Sequence, residues 1–206
     1  MIALIVMLAL AAPPEKSPDW KRLLAEGERL TLDASPKVQL KGARLKAKAF
    51  ELEPNRVETA AGMCHAYFIR IFFEKNRQKA QALGMKGARM AEKVAKRWPK
   101  RAEGYYWIAA NNGALAKHIG VIEAVSQGLG GTIERAALKA LELDRTLYGG
   151  SVLRLLGRYY TLIPWPLRNT DKAVKLLTEA HELMPANMAG VQFLAEALTL
   201  SGDKDK

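Results

Sequence analysis

Apolar positions recur at helical spacing through most of this chain. Between residues 36 and 52, Val38, Leu45, Ala49 and Leu52 share one face at about 100° per residue, while Leu40, Ala43, Ala47 and Phe50 fall nearly opposite. A helix apolar on two faces packs between neighbours on both sides. The same periodicity predicts helices over 18–31, 36–52, 56–80, 85–98, 102–129, 132–143, 149–163, 170–184 and 188–200. Ser17-Pro18 and Ser35-Pro36 each set an N-cap residue before a proline at the first helical position. Breaks are predicted at 128–131 (GLGG, with Thr132 capping the next helix), 148–150 (YGG) and 164–169 (PWPLRN). Alternating β-branched runs joined by Asn-Gly or Asp-Gly turns are lacking, so the chain reads as all-α.

One phrase is written twice. KGARLKAKAFELEP (41–54) is echoed by KGARMAEKVAKRWP (86–99), and similar helix endings close at Arg145 and Pro185. The closing positions lie 45, 46 and 40 residues apart, room for two helices each. That is the signature of an α-solenoid: about four antiparallel helical pairs in a right-handed array, plus a C-terminal capping helix. In the first copy Lys37, Lys41, Arg44 and Lys48 form a stripe between the apolar faces, and Lys86, Arg89 and Lys93 repeat it in the second. The stripe is either a solvated face or a docking edge for an acidic protein or an anionic membrane surface.

Composition fits a folded domain: 206 residues, 49% hydrophobic and 26% charged, with a net charge of +11. The charge favours anionic partners, although nucleic acid fits poorly because few aromatics interleave with the stripe. MIALIVMLALAA followed by PPEKSPD reads as an export signal over 1–11, with Ala9-Leu10-Ala11 as the cleavage site. A single helical-repeat domain then covers 12–200, and 201–206 is a solvated tail. A periplasmic location follows from that signal. Cys64 is the sole cysteine and lies in the apolar run AAGMCHAYFIRIFF, so it reads as a buried structural thiol; with no cysteine directly following the cleavage site, no lipid anchor is expected.

Candidate chemistry is sparse. His65, His118 and His181 have no ligand partners at metal spacing, GLGGTIER lacks the Gly-Lys-Ser/Thr of a phosphate loop, and no Gly-x-Ser-x-Gly elbow occurs. No catalytic residue, metal or cofactor is therefore assigned, and the chain reads as a non-enzyme. The aromatic stretches are more informative. Tyr105, Tyr106 and Trp107 followed by Asn111 and Asn112, and Arg158 and Tyr159 followed by Trp165, supply the mix of apolar bodies and a few polar groups that ligand pockets use. The alternative is interhelix packing.

In the fourth pair Leu156-Gly157, Tyr160, Ala173, Ala180 and Pro185 resemble the tetratricopeptide (TPR) pattern, in which small residues permit close helix crossing. EGYYWIAANNGALA, ALELDRTLYGGSVLRLLGRYYTLIPWP and DKAVKLLTEAHELMPAN further resemble the TRAP transporter T-component (TatT-like) family over about residues 55–200. The resemblance implies an exported, non-catalytic TPR-like protein accessory to a TRAP-type solute transport system, working beside a substrate-binding P-component and holding an apolar ligand in its concave face. A general TPR scaffold for an envelope complex, without a small ligand, is the competing reading.

Overall fold

A computed structural model describes residues 19–202. The export signal and the tail after residue 202 lie outside the described residues, as do Ser17 and Pro18. Ten helices follow one another among the described residues: α1 (Asp19–Thr31), α2 (Pro36–Leu52), α3 (Val57–Phe73), α4 (Arg77–Arg97), α5 (Ala102–Ile119), α6 (Val121–Ser126), α7 (Leu129–Leu143), α8 (Leu147–Leu162), α9 (Thr170–Leu183) and α10 (Met188–Ser201). The chain is all-α, and its helices pack in consecutive pairs: α1 on α2, α3 on α4, α5 on α7 and α8 on α9, with α10 closing the array and the short α6 inserted after α5.

The repeat register is visible in the helix ends. Helices α2, α4, α7 and α9 each stop two residues before Pro54, Pro99, Arg145 and Pro185. Each is closed in the same way, by the amide N–H of Glu53, Trp98, Asp144 or Met184 donating to the carbonyl four residues back, on Ala49, Val94, Ala140 and Ala180. Successive first helices touch one another (α1 on α3, α3 on α5, α5 on α8, α8 on α10), whereas α2, α4, α7 and α9 do not. Helices closer together lie on the inside of a curved array, so α1, α3, α5, α8 and α10 line the concave side and the others form the outer layer.

Four boundaries differ from the sequence expectation. The helix expected over 56–80 ends at Phe73, and α4 starts at Arg77 rather than at residue 85. Asn76 is the reason: its side-chain oxygen accepts from Lys79 N at 2.9 Å and caps α4. Gly84, which falls between the two expected helices, lies inside α4, where a Cβ would stand 2.9 Å from Leu115 Cδ1. The helix expected over 102–129 is interrupted by Gly120 at φ +92°, which separates α5 from α6. Thr132 is not the cap of α7; the helix begins at Leu129 after left-handed Gly128, and the Thr132 hydroxyl donates back to Gly128 O at 3.2 Å. At the YGG break Tyr148, Gly149 and Gly150 all adopt left-handed conformations before the regular part of α8.

Small residues at the helix crossings explain why the KGAR phrase recurs. In its first copy a Cβ on Gly42 would lie 2.7 Å from Gly27 O and 2.9 Å from Leu30 Cβ. In the second, Gly87 crowds Asn111 and Tyr67 at 3.0 Å. The TPR-like positions behave alike: a Cβ on Gly157 would collide with Leu177 Cγ, and buried Tyr160 donates to Glu134 Oε1 at 2.5 Å while accepting from Lys172 Nζ at 2.6 Å. Cys64 is fully buried, and desolvation pushes its thiol well above the usual range, as suits a packing residue.

Candidate functional site

Helix α2 departs from its two-faced apolar pattern at two positions. Leu52 is exposed, and Lys46 is buried to 1%. Eight residues before the closing residue of each unit, the other three outer helices carry Ala91, Ala137 and Leu177, all fully buried. One unit of four thus puts a lysine where the fold calls for an apolar side chain. Burying an ammonium group is costly unless it is paired, so this residue cannot be explained by packing alone.

Two glycines let the lysine through. A Cβ on Gly27 of α1 would lie 2.8 Å from Lys46 Cγ, and one on Gly62 of α3 would lie 3.7 Å from Lys46 Cβ. The apolar stem passes between these two inner helices, and the ammonium group meets Glu28 and His65. Lys46 Nζ ion-pairs with the half-exposed Glu28 carboxylate and stands 2.5 Å from His65 Nδ1. Desolvation lowers the lysine pKa, with Glu28 opposing the shift. Burial and the nearby Lys46 charge push His65 down to about 3, so at neutral pH the imidazole is uncharged. An ammonium has no lone pair to offer. Nδ1 must therefore accept, and the ring proton sits on Nε2.

The His65 ring stacks on Trp107 of α5 with centroids 4.9 Å apart, and Phe68 lies 6.0 Å from the same indole. Tyr106 meets Trp107 edge-on at 4.8 Å. Tyr148 completes the cluster, 5.5 Å from Tyr106 and 6.1 Å from Trp107. It reaches there from a strained backbone, φ +48° and ψ +44°, a conformation a bulky L-residue rarely adopts. Arg154 holds that turn, donating to Gly149 O at 2.5 Å, Tyr148 O at 3.2 Å and Ser151 Oγ at 2.6 Å. Among the described residues buried Trp107 Nε1 has no hydrogen bond of good geometry, although the indole lies close enough to the Tyr148 hydroxyl to interact with it. Nearby Glu103 is buried and ion-paired with Arg101. The assembly is an aromatic wall carrying a buried indole N–H, beside a desolvated ammonium and a neutral imidazole.

Of the eight residues expected to form a pocket, only Tyr106 and Trp107 meet in this cluster. Tyr105 instead lines an outer cleft of about 290 Å³ with Ile108, Glu92, Arg135 and Lys139. Asn111 is fully buried between helices, with its amide nitrogen 3.4 Å from Cys64 O and 3.5 Å from Gly87 O, and Asn112 donates to Ile108 O of its own helix at 2.8 Å. Arg158 ion-pairs with Glu196 and covers the Phe193 ring at 4.7 Å, fastening α10. Tyr159 packs on Tyr160 at 5.2 Å, its phenol pushed up to about 12 by burial and by Glu134. Trp165 is 85% exposed in the loop after α8. Sequence reasoning missed Lys46, Glu28, His65 and Tyr148 as a group. A lysine in register with Ala91, Ala137 and Leu177 was the available signal.

The basic stripe is fully exposed on the outer layer: Lys37, Lys41, Arg44 and Lys48 on α2, and Lys86, Arg89 and Lys93 on α4. None of these seven makes a salt bridge within 4 Å among the described residues. The same register extends the stripe to Arg135 and Lys139 on α7 and to Lys172 and Lys175 on α9. Arg44 also borders a second outer cleft, of about 220 Å³, lined by Leu40, Ala47, Met63 and Arg70. Neither cleft is lined by Lys46, His65, Trp107 or Tyr148.

No family model matches the chain, and no curated protein matches it.

Proposed function

We propose that this is a non-catalytic TPR-like binding protein whose concave side takes a small, largely apolar molecule bearing one oxygen acceptor, against Trp107 and Tyr148 and beside Lys46 and His65. The buried Lys46 carries this reading. It occupies a slot that three other units fill with Ala91, Ala137 and Leu177, and a desolvated charge retained in such a slot is poor support for stability and marks a candidate binding group. Buried Trp107 Nε1, without a hydrogen bond of good geometry among the described residues, is a second polar group that an oxygen acceptor on the ligand satisfies. The setting is that implied by the sequence resemblance: an exported accessory of a TRAP-type uptake system, with a periplasmic P-component as protein partner.

The unpaired basic stripe favours a second reading, a scaffold that docks an acidic protein on its outer layer without any small ligand. Native mass spectrometry of the protein purified from its own envelope fraction, before and after organic extraction, separates the two. The first reading expects a bound small molecule in the wild type that extraction removes and that Lys46→Met lacks while still folding. An empty wild-type protein retaining a partner chain, or a molecule kept by Lys46→Met, overturns it.

A further inference from the structure

The turns joining the two helices of each pair share one edge of the array. Each helix reverses direction relative to the one before it, so the C-terminal ends of α1, α3, α5 and α8 all point the same way. Contacts bear this out. Lys117 near the end of α5 covers the ring of Phe72 at the end of α3 at 4.0 Å. Arg77 at the start of α4 donates to Ile119 O at 3.3 Å and to Glu123 Oε2 on α6 at 2.6 Å. A Cβ on Gly130, at the start of α7, would lie 3.8 Å from Ile163 Cδ1 just beyond α8.

Every one of these four junctions exposes a large apolar side chain: Leu32 at 79%, Phe72 in the last turn of α3 at 44%, Ile122 on α6 at 87%, and Trp165 at 85% with Leu167 at 63%. These residues are carried on four different helix junctions. Exposed basic side chains, Lys75, Lys117 and Arg168, stand among them. The acidic groups at three of the same turns are already engaged: Asp33 accepts from Ser35 N, Glu74 from Asn76 N, and Glu123 pairs with Arg77.

We propose that this edge seats the protein on an anionic lipid bilayer, with the four apolar turn tips entering the headgroup layer and the lysines and arginine between them facing lipid phosphates. Separated apolar tips suit a fluid interface, which fills the gaps between them, better than a rigid protein surface, which requires continuous complementarity. An exposed tryptophan at a tip fits the interfacial preference of the indole, and the basic neighbours fit a negative leaflet. None of these side chains belongs to the basic stripe or to the group formed by Lys46, His65, Trp107 and Tyr148.

The test uses the full chain and vesicles of phosphatidylcholine with or without phosphatidylglycerol, some of them carrying brominated acyl chains. Wild type is expected to float with the anionic vesicles, with Trp165 fluorescence quenched by bromine. Trp165→Phe keeps an apolar tip, so binding persists and the quenched component vanishes. The double variant Trp165→Ser, Ile122→Ser, altered only at side chains already in solvent, loses at least about tenfold in vesicle affinity. Three results overturn the proposal: affinity unchanged in the double serine variant, a bound wild type whose Trp165 is not quenched, or a wild-type dimer that the double variant dissociates, which makes the edge a self-association surface.

Discussion

Lys46 Nζ and His65 Nδ1, side chains on consecutive helices, stand 2.5 Å apart where the lysine stem passes between Gly27 and Gly62. The contact couples two groups whose charged forms compete, because a second positive charge on the imidazole is opposed both by burial and by the ammonium beside it.

Acid sensitivity follows from this pair. His65 has a folded pKa of about 3 against an ordinary value of 6.5, so between those limits the unfolded chain binds a proton that the folded chain refuses. Its contribution is fully present above pH 6.5 and is lost as pH falls toward 3, at up to about 1.4 kcal/mol per pH unit. Urea unfolding at a series of pH values should show this slope, and His65→Gln should flatten it. An equal slope in the variant assigns the effect to other groups.

Close helix crossings set the tolerance of individual glycines. Gly42→Ala drives a Cβ against the Gly27 carbonyl and should cost about 1–3 kcal/mol, and Gly157→Leu, crowded by Leu177, should also destabilise by overpacking. Gly113, on the exposed side of α5, has no atom within 4 Å of an added Cβ, so Gly113→Ala should stabilise by about 0.5–1 kcal/mol. Thermal melts of the three variants give the ordering, and a melting temperature that falls in Gly113→Ala contradicts it.

The left-handed turn that presents Tyr148 depends on Arg154. Arg154→Met keeps the stem but strips the donors from Tyr148 O, Gly149 O and Ser151 Oγ. A loss of about 2–3 kcal/mol is expected, with the Tyr148 ring released from the aromatic cluster. Comparable near-ultraviolet circular dichroism in variant and wild type would show that Tyr148 stays in place without the guanidinium.

Reversal of Lys41, Arg44, Lys86 and Arg89 to glutamate should leave helicity and melting temperature nearly unchanged, since all four are exposed and make no salt bridge among the described residues. Recovery of an acidic partner in pull-downs should fall and become less sensitive to salt. Undiminished recovery makes the stripe a solvated face.

Much of the architecture was legible along the chain because it rests on local rules. Periodicity requires helices, the recurring closing residues at 54, 99, 145 and 185 mark the outer helix ends, and Leu156-Gly157 with Tyr160 marks a close crossing. The α4 start was misjudged because Gly84 serves packing on Leu115 while Asn76 does the capping, and no local pattern distinguishes those two uses of small and polar residues.

The site was another matter. Asn111 and Arg158 read as pocket residues, yet one lies in the core and the other anchors α10, since a polar side chain on a helix does not declare which neighbour it faces. The sequence carried the helices, their pairing and the exposed basic stripe, all of which depend on spacings within one or two turns or on a repeating register. Only the tertiary structure brought Glu28, Lys46, His65, Trp107 and Tyr148 together from five different helices, because their meeting depends on how the pairs stack and not on any spacing along the chain.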